Sequence, residues 1–173
     1  MKDELKTKKI ALNGVLGALA VVCLLLADIL PTNKISLYAL SSFFISVSII
    51  EGGARSGWLF YMSTSLLSLI IVPDKLMVIP YILFFGTYGI IKFYIERLRR
   101  VAVEYILKFA YFNACIVIIV AGASALLEEL SALGLPWYLL LTVAEVVFFI
   151  YDIVYTMIIN YYKNKIRGKL KLS

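Results

Sequence analysis

Two carboxylates inside the last apolar run are the residues best placed for chemistry. Glu145 and Asp152 are seven residues apart, so they lie on the same face of a helix. An ionised carboxylate at the centre of a bilayer costs about 2.5–3.5 kcal/mol on insertion scales, so it normally faces a protein interior, a cavity or a partner. The pair therefore indicates either a ligand or ion site, or carboxylates that join helices through hydrogen bonds.

The face that carries these carboxylates is polar and aromatic along its length. Glu145 and Asp152 are about 10 Å apart along the helix axis, too far to share one proton or one metal ion. We therefore expect a binding face without a metal. The same spacing adds Thr142, Phe149, Thr156 and Asn160, and Tyr138 extends the face toward the start of the run.

Lys108, about one turn into the preceding run, is a possible countercharge for this face. Its long side chain can extend toward the membrane surface, or by depth it can approach Asp152 or Asn160. Glu145 has no evident cationic partner, so a ligand amine, a proton or hydroxyl groups must satisfy it.

The rest of the composition argues against catalysis. The chain has no histidine, which removes most zinc sites and every catalytic arrangement based on an imidazole. The second and third runs are rich in serine and threonine, but no base lies in reach of them to make a nucleophile, so these hydroxyls are interpreted as packing groups. The sequence predicts no enzyme, no catalytic residue, no metal and no cofactor.

Hydrophobic helices must position the polar face. Of the 173 residues, 62% are hydrophobic and 16% charged, and the mean hydropathy is +0.94, whereas about 25% of an ordinary soluble domain is charged. Continuous apolar runs satisfy their own backbone in lipid only as helices. The sequence predicts an all-α polytopic membrane protein with one transmembrane domain over 1–173, a compact bundle of about six helices. The predicted spans are about 9–30, 35–51, 57–73, 76–95, 103–127 and 136–161.

The distribution of charge predicts the orientation. With six spans and the N-terminus inside, all but two of the 17 Lys and Arg residues fall in inner segments, and the two outside are Lys34 and Lys75. Both termini are then cytoplasmic, and the chain is expected to be a multi-pass protein of a cell membrane, the bacterial plasma membrane. This bias accounts for the net charge of +6, so no nucleic acid partner is expected.

The start of the first run carries a family resemblance. A basic pair, Lys8 and Lys9, leads into a helix with small residues at Gly14, Gly17 and Ala18. Small residues four apart create a flat strip where another helix can pack closely. This pattern, with the size and the six spans, resembles the substrate-binding S components of energy-coupling factor (ECF) vitamin transporters. The resemblance implies that the strip docks onto a transmembrane coupling subunit that works with ATPases.

The resemblance also implies a pocket for a vitamin-like small molecule, built from helices four to six. It would recruit Tyr81, Asn113, Tyr138 and Glu145 in addition to the other residues of the last helix face. The implied function is a membrane-embedded binding subunit of an ATP-driven uptake transporter. Its expected partners are the lipid bilayer, the coupling subunit with its ATPases, and the small-molecule ligand.

Two links depart from that family. S components usually have a lengthy loop between helices one and two, whereas here the link is only about 31–34, and the link at 73–75 is as short. The short links favour an alternative: a non-enzymatic scaffold or assembly subunit of a cell-envelope complex, similar to the small rod-shape-determining membrane proteins.

Overall fold

The computed structural model describes residues 2–122 and 136–167, and within these ranges the chain is built from helices and short links. The segment Lys75–Leu98 follows three α-helices and is called the fourth span. It contains one α-helix together with narrower and wider helical turns. The α-helices are α1 (Lys2–Ile29), α2 (Lys34–Gly52), α3 (Ala54–Ile71), α4 (Gly86–Ile95), α5 (Val101–Gly122) and α6 (Trp137–Tyr161). The short turns are 3₁₀-helical at Pro31–Asn33, Lys75–Val78 and Glu96–Leu98, and π-helical at Tyr81–Phe85 and Tyr162–Ile166.

Five stretches of the described chain are long and apolar enough to cross a membrane. They are Thr7–Ile29, Lys34–Gly52, Lys75–Leu98, Val101–Ala121 and Trp137–Lys165. An all-α, multi-pass membrane protein is therefore confirmed at this level. The remaining helix, α3, has 18 residues and is not among the five.

Helices α2 and α3 form an antiparallel hairpin because the chain reverses at Gly53. This residue has φ of 80°, a left-handed conformation that glycine adopts without strain, and its N–H still donates to the Ile49 carbonyl at 2.8 Å. Gly57 then lies so close to Ile49 that a β-carbon would collide with it. α1 packs against both helices of the hairpin.

A π-helical turn, Tyr81–Phe85, follows Pro80 in the fourth span, as expected where a proline, which has no N–H, interrupts the regular hydrogen bonding of a helix. Neighbouring helices supply donors to its carbonyls: the Tyr61 hydroxyl donates to Ile82 O at 2.9 Å, and the Tyr111 hydroxyl donates to Leu83 O at 2.8 Å. In lipid such side-chain donors replace the water that would otherwise satisfy a distorted helix. Hydroxyls from α3 and α5 therefore satisfy carbonyls of the π-helical turn.

The interior consists of two packed clusters. One joins α1, α2, α3 and the start of the fourth span. The other joins the fourth span, α5 and α6 through Phe84, Tyr88, Cys115, Phe148 and Tyr155. This second cluster is dominated by aromatic rings, which bury large apolar surfaces and prefer tilted or offset contacts.

Hydroxyl groups connect the two clusters across α2 and α6. Ser42 Oγ lies 2.8 Å from the Tyr151 hydroxyl, and Ser46 Oγ donates to the Tyr155 hydroxyl at 2.6 Å. The predicted packing role of the α2 and α3 hydroxyls is confirmed for these groups and for Thr64, which contacts the Tyr81 hydroxyl at 2.8 Å.

The bundle has two distinguishable ends. At one, called the Pro31 end, the Tyr38 hydroxyl donates to Met77 O at 2.6 Å, which ties the start of α2 to Lys75–Val78. At the other, called the Gly53 end, Lys9 Nζ donates to Glu51 O at 2.7 Å. The buried Glu51 side chain there also accepts from the Tyr162 hydroxyl at 3.3 Å, so α1, α2 and the end of α6 meet.

Candidate ligand cavity and the charged layer beneath it

A cavity of about 370 Å³ lies toward the Pro31 end, between α2, the fourth span, α5 and α6. Its volume falls within the range of about 300–1,000 Å³ that is usual for small-molecule sites. None of the lining residues in the described part of the chain carries a charge. The residues on which the later argument depends are Ile35, Phe84, Phe112, Cys115, Ile116, Val143, Ala144, Val147, Phe148 and Tyr151.

The polar groups at the cavity wall are already engaged within the protein. The Tyr151 hydroxyl is paired with Ser42, and the Cys115 thiol donates to Leu83 O at 3.4 Å. The remaining wall is hydrocarbon and aromatic ring. A molecule that enters the cavity therefore meets apolar surface and gains mainly from the removal of its own apolar surface from water or lipid headgroups.

An aromatic layer forms the floor of the cavity. The rings of Phe112 and Phe148 stack with centroids 4.4 Å apart, and Phe84 meets Phe148 edge to face at 5.9 Å. Tyr88 lies one helical turn below Phe84 and contacts the same Phe148 ring at 5.6 Å. The floor therefore draws rings from the fourth span, α5 and α6.

Below the aromatic layer, four charged side chains form an ionic quartet: Lys92, Glu96, Lys108 and Asp152. Both lysines contact the Asp152 carboxylate, Lys92 at Oδ1 and Lys108 at Oδ2, the latter at 3.0 Å. Both also contact Glu96 Oε1, at 3.0 Å for Lys92 and 3.2 Å for Lys108. The Tyr88 hydroxyl donates to Asp152 Oδ1, which joins the quartet to the aromatic floor.

The quartet is electrically balanced and mostly buried. Lys92, Lys108 and Asp152 are 1%, 5% and 4% exposed, whereas the Glu96 side chain is 39% exposed at the Gly53 end. Two cations and two anions in mutual contact offset part of the large cost of removing each charge from water. The arrangement ties the fourth span, α5 and α6 together at that end.

Asp152 therefore lies in the quartet and does not line the cavity. The predicted approach of Lys108 to Asp152 is confirmed. The alternative expectation, that Lys108 extends to the membrane surface, is wrong, because its ammonium group points inward to two carboxylates. Lys92, counted from the sequence among the inner-segment charges, is likewise buried.

Glu145 and Asn113, both predicted for the ligand site, do lie together. Asn113 Nδ2 donates to Glu145 Oε1 at 3.4 Å across the α5–α6 contact. Both side chains are half-buried and neither lines the cavity.

The other predicted ligand residues are dispersed. Tyr81 is fully buried against Thr64 in the cluster that joins α1, α2 and α3 to the fourth span. Tyr138 is 59% exposed, and Thr142, also exposed, donates to the Tyr138 carbonyl at 2.8 Å. Phe149 is 42% exposed and meets the Tyr105 ring at 6.1 Å. The structure thus does not bring Tyr81, Tyr138, Thr142 and Phe149 to one place.

Sequence reasoning missed the cavity because it followed the polar face of α6. The cavity uses the neighbouring face, on which Leu140, Ala144, Val147, Phe148 and Tyr151 recur at helical spacing. A small residue between larger ones, here Ala144, was the available signal for a space. An apolar stripe of this kind looks the same whether it meets a helix or a cavity.

A second feature is an open groove of about 760 Å³ between α1 and α3, which contains the predicted docking strip. Gly14, Gly17 and Ala18 all line it. A β-carbon at Gly14 would meet nothing within 4 Å, and one at Gly17 would make ordinary contacts with Thr64 and Phe60. The bundle's own packing therefore does not require glycine at either position.

One polar atom beside the groove is not satisfied within the described part of the chain. Asn13 Nδ2 donates to Ser56 Oγ at 2.9 Å, but the buried Asn13 Oδ1 has no partner there. An unpaired buried acceptor costs about 1–3 kcal/mol. Asn13 and Ser56 both line the groove, so this unsatisfied acceptor belongs to a side chain of the groove wall.

Comparison with known proteins gives no match: no protein-family model, no curated protein and no solved structure matches the chain. The function is therefore argued from the cavity, the quartet and the groove.

Proposed function

We propose that the protein is a membrane-embedded binding subunit for an apolar small molecule, and that it serves an uptake transporter driven by ATPases. The observation that carries the proposal is the cavity, which has the size of a small-molecule site and whose lining, over residues 2–122 and 136–167, carries no charge. This proposal keeps the function that the resemblance of the first helix to S components implies. It adds that the ligand is apolar. The protein itself carries out no reaction.

The proposal includes six membrane crossings with both termini on the cytoplasmic side. α3 is antiparallel to α2 and nearly as long, so if α2 crosses the bilayer, α3 returns through the same depth. The Pro31 end then faces outward and the Gly53 end inward, in accord with the positive charges near Gly53 and Arg99. The cavity lies in the outer half and the quartet in the inner half.

We expect the purified protein to retain a small molecule. Native mass spectrometry in mild detergent measures this directly, and the mass gives the identity. Replacing Ala144 with Phe fills the cavity and is expected to abolish retention, whereas Ala114→Phe, on an exposed part of α5 outside the cavity, is not. A protein with no adduct and no thermal shift across a panel of apolar compounds contradicts the binding function.

Docking through the groove is tested separately. Gly14→Leu is expected to fold normally, because the β-carbon position is open, and to block a partner helix that approaches the strip. The matched control is Val15→Leu, on the 61% exposed neighbour outside the groove. In-cell crosslinking from Ser63→Cys should capture a coupling subunit, and Gly14→Leu but not Val15→Leu should remove that product.

The groove also suits the alternative function, a scaffold of a cell-envelope complex, because either partner could place a helix against α1. The same crosslinking experiment separates the two. Capture of a membrane coupling subunit supports the transporter subunit, and capture of an envelope-assembly protein supports the scaffold. The cavity has a role only in the first, which is why we prefer it.

A further inference from the structure

One edge of the cavity faces out of the bundle, and the described residues along that edge are apolar. Three of its lining residues are strongly exposed: Ile35 at 65%, Val143 at 53% and Val147 at 46%. Ile35 lies in the first turn of α2, and the two valines lie in α6. The opening is therefore between the start of α2 and α6. We call these three residues the mouth.

The mouth is at membrane depth. Val143 and Val147 are within the stretch Trp137–Lys165, and Ile35 is within Lys34–Gly52, both of which qualify as membrane spans. Apolar side chains exposed there are solvated by lipid hydrocarbon. A ligand that came through this opening would pass from hydrocarbon into an apolar cavity without crossing a polar rim.

The opposite route, from the Gly53 end, is closed by two layers. The rings of Phe112 and Phe148 stack across the floor, and Phe84 meets Phe112 edge to face. The ionic quartet lies beneath them with its lysines and Asp152 buried. An apolar molecule moving that way would have to separate stacked rings and then pass four charges. At the mouth, the described residues form no such barrier.

We infer that the ligand is a membrane-dissolved apolar molecule, of the kind that partitions among lipid acyl chains, and that it enters sideways through the mouth between α2 and α6. The inference rests on the proposed binding function and adds the ligand's source and route. The part of the ligand that lies in the cavity contacts aromatic and aliphatic side chains and, among the described residues, no charged one. The bilayer itself concentrates such a ligand at the opening.

The experiment uses the full chain in liposomes and a tryptophan inside the cavity. In a Trp58→Phe/Trp137→Phe background, Phe112→Trp or Ile116→Trp places a fluorophore on the cavity wall. The probe is phosphatidylcholine brominated on its acyl chains, which quenches tryptophan on contact. We expect brominated lipid to remove most of the emission of the reporter, and iodide in the water to remove little.

A matched pair of variants shows whether quenching passes through the mouth. Val147→Phe narrows the mouth and is expected to restore most of the emission. Val154→Phe places the same ring one heptad further along α6, where the valine is similarly exposed at 41% but outside the cavity, and is expected to change nothing. Two reporter variants are made so that, if one of them does not fold, the other can still be measured.

Each other outcome contradicts the inference. Quenching by iodide but not by brominated lipid shows a cavity that opens to water, and quenching by neither shows a closed one. Lipid quenching that Val147→Phe does not relieve shows contact elsewhere. If the protein still retains an apolar molecule in the mass spectrometer, the route alone has failed; if it retains none while quenching follows the mouth, the binding function has failed.

Discussion

At the scale of single residues, two carboxylates that look alike in the sequence have different surroundings. Asp152 contacts two lysines and the Tyr88 hydroxyl, whereas Glu145 has one long contact with Asn113. Asp152 therefore balances two buried cations, and Glu145 balances none. We expect a substitution at Asp152 to destabilise the protein and one at Glu145 not to do so.

Asp152→Asn should destabilise the protein by about 3–5 kcal/mol, because it leaves a net positive charge in a buried cluster. The measurement is the melting temperature of the protein in detergent. Glu145→Gln is the control and should leave that temperature unchanged or raise it, because it removes a carboxylate from the membrane interior and keeps an acceptor for Asn113. A second change, Lys108→Met in the Asp152→Asn protein, should restore part of the loss, since Lys92 and Glu96 then remain as a neutral pair. Equal loss in the single and double variants would show that charge balance is not what the quartet supplies.

The part of the quartet that could be predicted was the contact between Lys108 and Asp152, since depth along two antiparallel runs brings them level. Lys92 was missed because charge counting assigns every lysine near a helix end to the membrane surface. Its spacing of four from Glu96 was the available signal of a pair. The way three helices share that pair depends on packing that one sequence does not reveal.

At the scale of elements, the fourth span depends on its neighbours for hydrogen bonds. Pro80 favours an irregular turn in this span, but the donors that satisfy the carbonyls of that turn, Tyr61 and Tyr111, lie 21 and 28 residues away from their acceptors. Helix positions follow from runs of apolar residues, whereas a space between helices depends on which side chains meet. That is why apolar runs could indicate where the described helices lie, whereas they could not indicate the cavity; the predicted end of the fifth span, at 127, lies outside the described residues.

Tyr61→Phe tests this dependence. Loss of the hydroxyl leaves the Ile82 carbonyl without its donor and should destabilise the bundle by about 1–3 kcal/mol. Tyr105→Phe is the control, because Tyr105 is 39% exposed on α5. Thermal unfolding of both variants in the same detergent gives the comparison. Equal melting temperatures would show that the fourth span does not need the Tyr61 hydroxyl as a donor to the Ile82 carbonyl.

At the scale of the whole molecule, the number of crossings depends on α3. If α3 crosses the membrane, Arg55 and Lys75 at its two ends lie on opposite sides. In a Cys23→Ala/Cys115→Ala background, a membrane-impermeant maleimide added to intact cells should label Lys75→Cys, and should label Arg55→Cys only after the cells are opened. Labelling of both from the same side would show that α3 does not cross and that five crossings are correct.

The quartet also bears on how the chain is made. Lys92 leaves the ribosome sixty residues before Asp152, its buried partner in the finished protein. Glu96, which contacts Lys92 from the next helical turn, is synthesised almost at once. When the fourth span enters the translocation machinery, the charge of Lys92 is therefore already neutralised by Glu96. Lys92 can contact Asp152 only after α6 has been made. Glu96, the most exposed member of the quartet, is thus the partner of Lys92 during insertion, and Asp152 joins it as a second partner in the folded bundle.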